Sequence, residues 1–162
     1  MQLQGSCHCG AVRFSLLSAS PYPYMHCYCS ICRKTAGGGG YAINLGGDAA
    51  SLEVTGKRHL RVYQVRLGED ELSPARRHFC GRCGSALWVF NPRWPELVHP
   101  FASAIDTPLP KPPEAVEIML NYAPPWCETG RGAAVRRFEE YPDESLEAWH
   151  RRHGIHDEGQ ET

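Results

Sequence analysis

The chain has 162 residues and a formal net charge of -1, with 42% hydrophobic and 22% charged residues. These are ordinary values for one globular domain and exclude a disordered or fibrous chain. Basic residues fall in scattered doublets such as Arg76-Arg77, Arg136-Arg137 and Arg151-Arg152, which predicts no nucleic-acid partner, and no apolar run reaches the roughly 20 residues of a membrane span.

In chain order, Ala11 to Leu16 alternates with Val12, Phe14 and Leu16 on one face, and Tyr41 to Leu45 alternates with Tyr41, Ile43 and Leu45. Both patterns predict half-buried strands. Further strands are expected over Ser51 to Val54, His59 to Leu67, Arg76 to Phe79, Ser85 to Phe90, Val98 to Ala104 and Val116 to Leu120, separated by Gly, Pro or Asp. The proline-rich stretches Thr107 to Pro113 and Ala123 to Trp126 are expected as ordered loops. One helix is expected over Glu144 to His153, capped by Asp143, stopped by Gly154 and carrying Leu146, Trp149 and His153 on one face, as a terminal appendage. Residues 156–162 are expected to fray, leaving one domain over 1–155. The fold class is therefore mainly β, mostly antiparallel, with a C-terminal helix.

Seven of the eight cysteines cluster: Cys7 and Cys9; Cys27, Cys29 and Cys32; Cys80 and Cys83. The start of the chain, MQLQGSCHCG, has neither a basic nor an apolar signal segment. A reducing, cytoplasmic setting follows, where such thiols hold metal in preference to disulfides. The CxC of Cys7 and Cys9 and the CxxC of Cys80 and Cys83 supply four thiolates, which close a tetrahedral zinc site. Each pair is followed by a glycine, Gly10 or Gly84, able to take the positive φ of a metal knuckle. Such a zinc staples the chain's start to its middle. A redox role for the CxxC is disfavoured because strand patterns flank it on both sides. His8 and His78 lie nearby as surface or supporting residues.

Cys27, Cys29 and Cys32 wrap a second metal from three sides and leave the fourth corner unassigned. Three thiolates weaken the Lewis acidity of zinc, so the site suits a sulfur ligand better than water. A bound thiol there loses its proton near neutral pH and attacks a small aldehyde to give a hemithioacetal. Closure by Cys127, His26 or another side chain is the alternative, and it makes a second structural zinc. Arg33 and Lys34 either offset thiolate charge and contact the thiol substrate or are solvated. Gly37 to Gly40 either brings backbone N–H groups to an anion or is a flexible connection. Asp106 reads as a turn residue, Trp88, Phe90 and Trp94 as core aromatics, Cys127 as a partly buried thiol, and His150 and His153 as surface residues rather than a metal pair.

The ordered series CxCG, HCxCSxCRK and FCxxCGSxL, spanning roughly Gly5 to Tyr122, resembles the glutathione-dependent formaldehyde-activating enzyme family. The resemblance implies a β-tent of antiparallel sheets shared with the Mss4-like zinc proteins. It also implies structural zinc on Cys7, Cys9, Cys80 and Cys83 and a second zinc on Cys27, Cys29 and Cys32. The implied activity is condensation of glutathione with formaldehyde to S-hydroxymethylglutathione, classed as a carbon–sulfur lyase, with a small-molecule thiol and aldehyde as partners. The chain departs from the family pattern in its run of four glycines after the triplet and in carrying Ile105-Asp106 in place of a leucine-aspartate pair. Two further functions compete with the enzyme. One is a non-catalytic, zinc-stapled binding module of the Mss4-like type; the other is thiol redox or metal buffering.

Overall fold

Alternation of apolar and polar side chains builds the first layer. In the computed structural model, which describes residues 1–155, β1 (Gln2–Ser6) and β2 (Arg13–Leu17) form a hairpin extended by β6 (Glu53–Thr55). The frayed tail expected over 156–162 lies outside the described residues. Val12, Phe14 and Leu16 are buried as the sequence predicts. The remaining elements are β3 (Tyr24–Cys27), α1 (Ser30–Ala36), β4 (Ala42–Asn44), β5 (Gly47–Asp48), β7 (Leu60–Tyr63), β8 (Arg76–Cys80), β9 (Ala86–Phe90), β10 (Leu97–Pro100), β11 (Ala115–Ile118), β12 (Val135–Arg137) and α2 (Leu146–Arg152).

Three sheets result, with strand orders β1-β2-β6, β5-β10-β9-β8-β7 and β12-β11-β3-β4. The mainly β class with a C-terminal helix stands. Most ladders are antiparallel, and β11 adds two parallel ones, to β3 and β12. Two apolar cores share the central sheet: Leu87 and Trp88 of β9 pack with Leu3, Val12 and Phe14, while Val89 packs with Phe101, Val116 and Trp149. Cys7 and Cys80 belong to the first core, and Cys27 and Cys32 to the second. Each cysteine cluster is thereby anchored in its own core.

Several expectations are corrected. Strands β1, β3, β5 and β12 and helix α1 are additional. Helix α1 escapes sequence reading because its N-cap is a thiol, the Cys29 sulfur accepting from the Cys32 N–H, where Ser, Thr, Asp or Asn is the usual signal. In β4 the inward residues are Ala42 and Asn44, so the face of Tyr41 and Ile43 is reversed, and Tyr41 instead stacks on His26 at 4.6 Å. The strand expected over His59 to Leu67 stops at Tyr63. Strand β10 ends at Pro100, before a 3-10 turn over Ala102–Ala104. Strand β11 ends at Ile118 because Met119 turns into the left-handed region at φ 61, a conformation costing about 1–3 kcal/mol for a non-glycine residue.

The cap of α2 is Ser145, not Asp143; its Oγ accepts from the Ala148 N–H, and Gly154 ends the helix at φ 67. Far from being an appendage, α2 inserts Trp149 into the second core at 2% exposure, with Nε1 donating to Glu114 and the ring stacked on His153 at 3.8 Å. Trp149→Ala is expected to cost about 3–5 kcal/mol in urea unfolding. A loss below about 1 kcal/mol would return the helix to appendage status. The proline-rich loop is ordered as expected, accepting hydrogen bonds from Tyr22 at Lys111 O and from Tyr24 at Pro110 O.

Candidate functional site

The two N-terminal and two central cysteines meet through matched turns. At Cys7 the Val12 N–H points at the sulfur and the Gly10 N–H at the carbonyl; at Cys80 the Arg82 and Gly84 N–H groups do the same. Gly10 and Gly84 have φ of 71° and 77°, the left-handed values anticipated for the knuckles. The four sulfurs lie within 4.8 Å of one another, with Cys7 to Cys9 at 3.6 Å and Cys9 to Cys80 at 3.9 Å. A tetrahedral ion with sulfur ligands at about 2.3 Å needs edges of about 3.8 Å, so this donor set fits zinc.

Ser85 joins the two clips, its hydroxyl lying 3.2 Å from the Cys83 sulfur and accepting from the His8 N–H at 3.1 Å. That hydroxyl, followed by backbone donors, draws the Cys83 thiol down to about 5. Sequence reading missed Ser85, whose only signal was its place directly after CxxCG. His8 is exposed and His78 stacks on Trp88 at 4.8 Å; neither joins the sulfur group.

The triplet gathers at the join between β3 and α1. Cys27 closes the strand, Cys29 caps the helix and Cys32 lies in its first turn, bringing the three sulfurs within 4.8 Å. Three thiols so close cannot all ionise alone. The hydrogen bonds with Cys27 and then Cys32 draw Cys29 down to about 2, while Cys27 is pushed far up by Cys29, Cys32 and burial. A bound divalent cation removes that conflict, so the donor chemistry suits a metal. Among the described residues no fourth metal-binding side chain joins the group. Cys127 instead donates to Gly39 O at 3.3 Å, and His26 lies against Tyr41.

The setting of the triplet is only partly what the sequence suggests. Lys34 is exposed, whereas Arg33 is half-buried with an unpaired Nε, and its charge bears on Cys127, whose thiol burial pushes up. The residue that sequence reading missed is Arg77. It lies on β8 at 9% exposure, and its Nη2 donates to the Cys32 sulfur at 3.8 Å. The sequence carried no clean signal for it, since the doublet with Arg76 disguised the one inward arginine and a bulge between His78 and Phe79 breaks the alternation of β8. Tyr141 stands in the field of the same three sulfurs, its phenol pushed up by burial and then by those thiols. Tyr122 is exposed and hydrogen-bonded to Glu140 at 3.2 Å, its phenol pushed up by that carboxylate first and least by the Cys29 sulfur.

The glycine run is an ordered turn. Gly37 and Gly40 are required, since a Cβ would come within 2.3 Å of Tyr41 O or 2.2 Å of the Cys127 sulfur, while Gly38 and Gly39 face open space. Asp106 is exposed, and in place of the expected turn it follows the Ile105 bridge to Gly5, its N–H donating to Gln4 O. Of the three aromatics, Trp88 is buried and Phe90 half-buried, but Trp94 is exposed because it follows the strand. His150 and His153 are half-buried rather than surface residues, held on Tyr22 O and Trp149 O.

Residues 2–121 match the model of a family described as glutathione-dependent formaldehyde-activating enzyme. A protein of Halomonas elongata, provisionally named a glutathione-dependent formaldehyde-activating enzyme, is 61% identical over 155 residues, covering 96% of this chain and 98% of that one. A crystal structure of a Rhodobacter sphaeroides protein aligns with a TM-score of 0.53 at 28% identity, covering 66% of this chain and 91% of that one.

Proposed function

Because the chain belongs to the glutathione-dependent formaldehyde-activating enzyme family, we propose that it activates a thiol, glutathione or a close analogue, for reversible addition to formaldehyde or another small aldehyde, as a carbon–sulfur lyase. Two zinc ions serve it. Cys7, Cys9, Cys80 and Cys83 hold a structural one, and Cys27, Cys29 and Cys32 hold the second and act as the catalytic set. The observation that carries this reading is the convergence of three thiols with no fourth side-chain donor among the described residues. When bound at the triplet, zinc lowers the proton affinity of an incoming thiol while remaining too electron-rich to ionise water.

The chain's own residues then bind and orient. The incoming S–H gives its proton to solvent, the sulfur lone pair forms the C–S bond, the carbonyl π pair moves to oxygen, and that oxygen takes a proton from water. No oxidant is required. Arg77 donates to the Cys32 sulfur and so holds it in place, and Tyr122 and Tyr141 line the approach. Arg33, half-buried, and Lys34, at the solvent edge, contact the charged groups of the thiol substrate. Eight free thiols fit a reducing compartment such as the cytoplasm, and no described helix is long and apolar enough to cross a membrane.

Metal content measured with and without glutathione tests the proposal. Two zinc ions per chain are expected, with X-ray absorption detecting an added sulfur neighbour at one of them after glutathione is supplied. Full loading with no change at either metal would leave the non-catalytic binding module as the better description.

A further inference from the structure

Arg77 carries more donors than its surroundings use. One N–H reaches the Cys32 sulfur, while Nε and Nη1 are buried without a hydrogen-bond partner among the described residues. Buried charged donors are rarely left unpaired, and each exception calls for a missing partner. The side chain lines a cleft of about 280 Å³ together with Thr35, Tyr63, Phe79 and Phe101. That cleft runs between Thr35 of α1 and the central sheet, and Arg77 connects it to Cys32.

We propose that Arg77 receives the aldehyde oxygen, donating a hydrogen bond to it as it becomes an alkoxide. This rests on the thiol-addition reading above. In that reaction the oxygen is two bonds from the attacking sulfur, so a thiol seated beside Cys32 brings it within reach of a guanidinium already touching Cys32. The free donors are almost inaccessible to solvent. Burial shuts out the carboxylates of a peptide-like thiol, and a side-chain shift that opens the cleft has to accompany even the small aldehyde. The bookkeeping closes: the alkoxide takes a proton from water, and the guanidinium keeps all of its own. Nε–H and the Nη1 N–H leave the planar guanidinium on different sides, so one of them meets the oxygen, in a site of low polarity where a fixed donor favours the transition state over the neutral carbonyl.

The test uses the cobalt-loaded full chain, wild type beside Arg77→Met and Arg77→Lys. Glutathione alone is titrated by its sulfur-to-cobalt absorption, and addition to formaldehyde is then timed above the uncatalysed rate. The expected result for Arg77→Met is glutathione affinity within about threefold of wild type and a rate about 100-fold or more lower, with Arg77→Lys recovering part of it. In the wild type, the 15N resonance of Arg77 Nε–H is expected to move when formaldehyde joins glutathione, and to stay when glutathione is added alone. This readout needs no folded variant. An equal loss of glutathione affinity and rate would assign Arg77 to thiolate charge instead, and an unchanged rate or resonance would remove it from the reaction. Failure of wild-type protein to take glutathione at the metal defeats the thiol-addition reading itself, a result distinct from any loss confined to the variants.

Discussion

Cys80→Ser is expected to abolish the folded state, whereas Cys29→Ser is expected to leave it standing. Cys80 is fully buried in the first core, and its cluster joins the N-terminal hairpin to the β8–β9 hairpin across 71 positions of chain. A structural zinc contributes about 10–16 kcal/mol of apparent binding free energy, against a total stability of about 5–15 kcal/mol for a domain. Losing one ligand of four therefore removes enough to tip the balance. Strong chelation should do the same to the wild type. At Cys29 the connections are local, since the triplet lies within a single strand-to-helix turn. The loss there is a helix cap, about 1 kcal/mol, together with the second metal and thiol binding. Circular dichroism melts with zinc analysis read both: collapse of both variants alike, or of neither, contradicts the division of labour.

Glu117→Ala is expected to cost about 3–5 kcal/mol, the range for breaking one side of a buried charged network. Glu117 is 2% exposed on β11, where its Oε1 accepts from Tyr28 Oη at 2.9 Å and from the Gly130 N–H at 2.6 Å. Arg137 on the neighbouring strand β12 lies 3.7 Å from Oε2. In the parallel ladder Glu117 pairs with His26 and Ile118 with Cys27, so the carboxylate lies on the sheet face opposite the triplet. There it ties the irregular segment around Gly130 to the sheet that carries Cys27. Removing it orphans a phenol and a backbone N–H together, each costing about 1–3 kcal/mol when buried. Tyr28→Phe should cost less, about 1–2 kcal/mol, and the double variant should show the two coupled. Urea midpoints measure all three; additive losses, or a Glu117→Ala loss under about 1 kcal/mol, would dissolve the network.

Spacing alone determined the partition of the cysteines, because a metal's ligand number and bond lengths restrict which sulfurs can share it. Alternation determined the burial of Val12, Phe14 and Leu16 for a similarly local reason, the two-residue period of a strand. Only the tertiary structure decided which charges meet the triplet. Arg33 and Lys34 follow Cys32 directly, yet the helical turn sends Lys34 to solvent, while Arg77 arrives from β8 to touch Cys32. The same holds for Ser85 between its two clips and for Glu117 behind Cys27. Contacts between residues far apart in the chain depend on strand order and register, and these are fixed by the packing of three sheets rather than by any short motif.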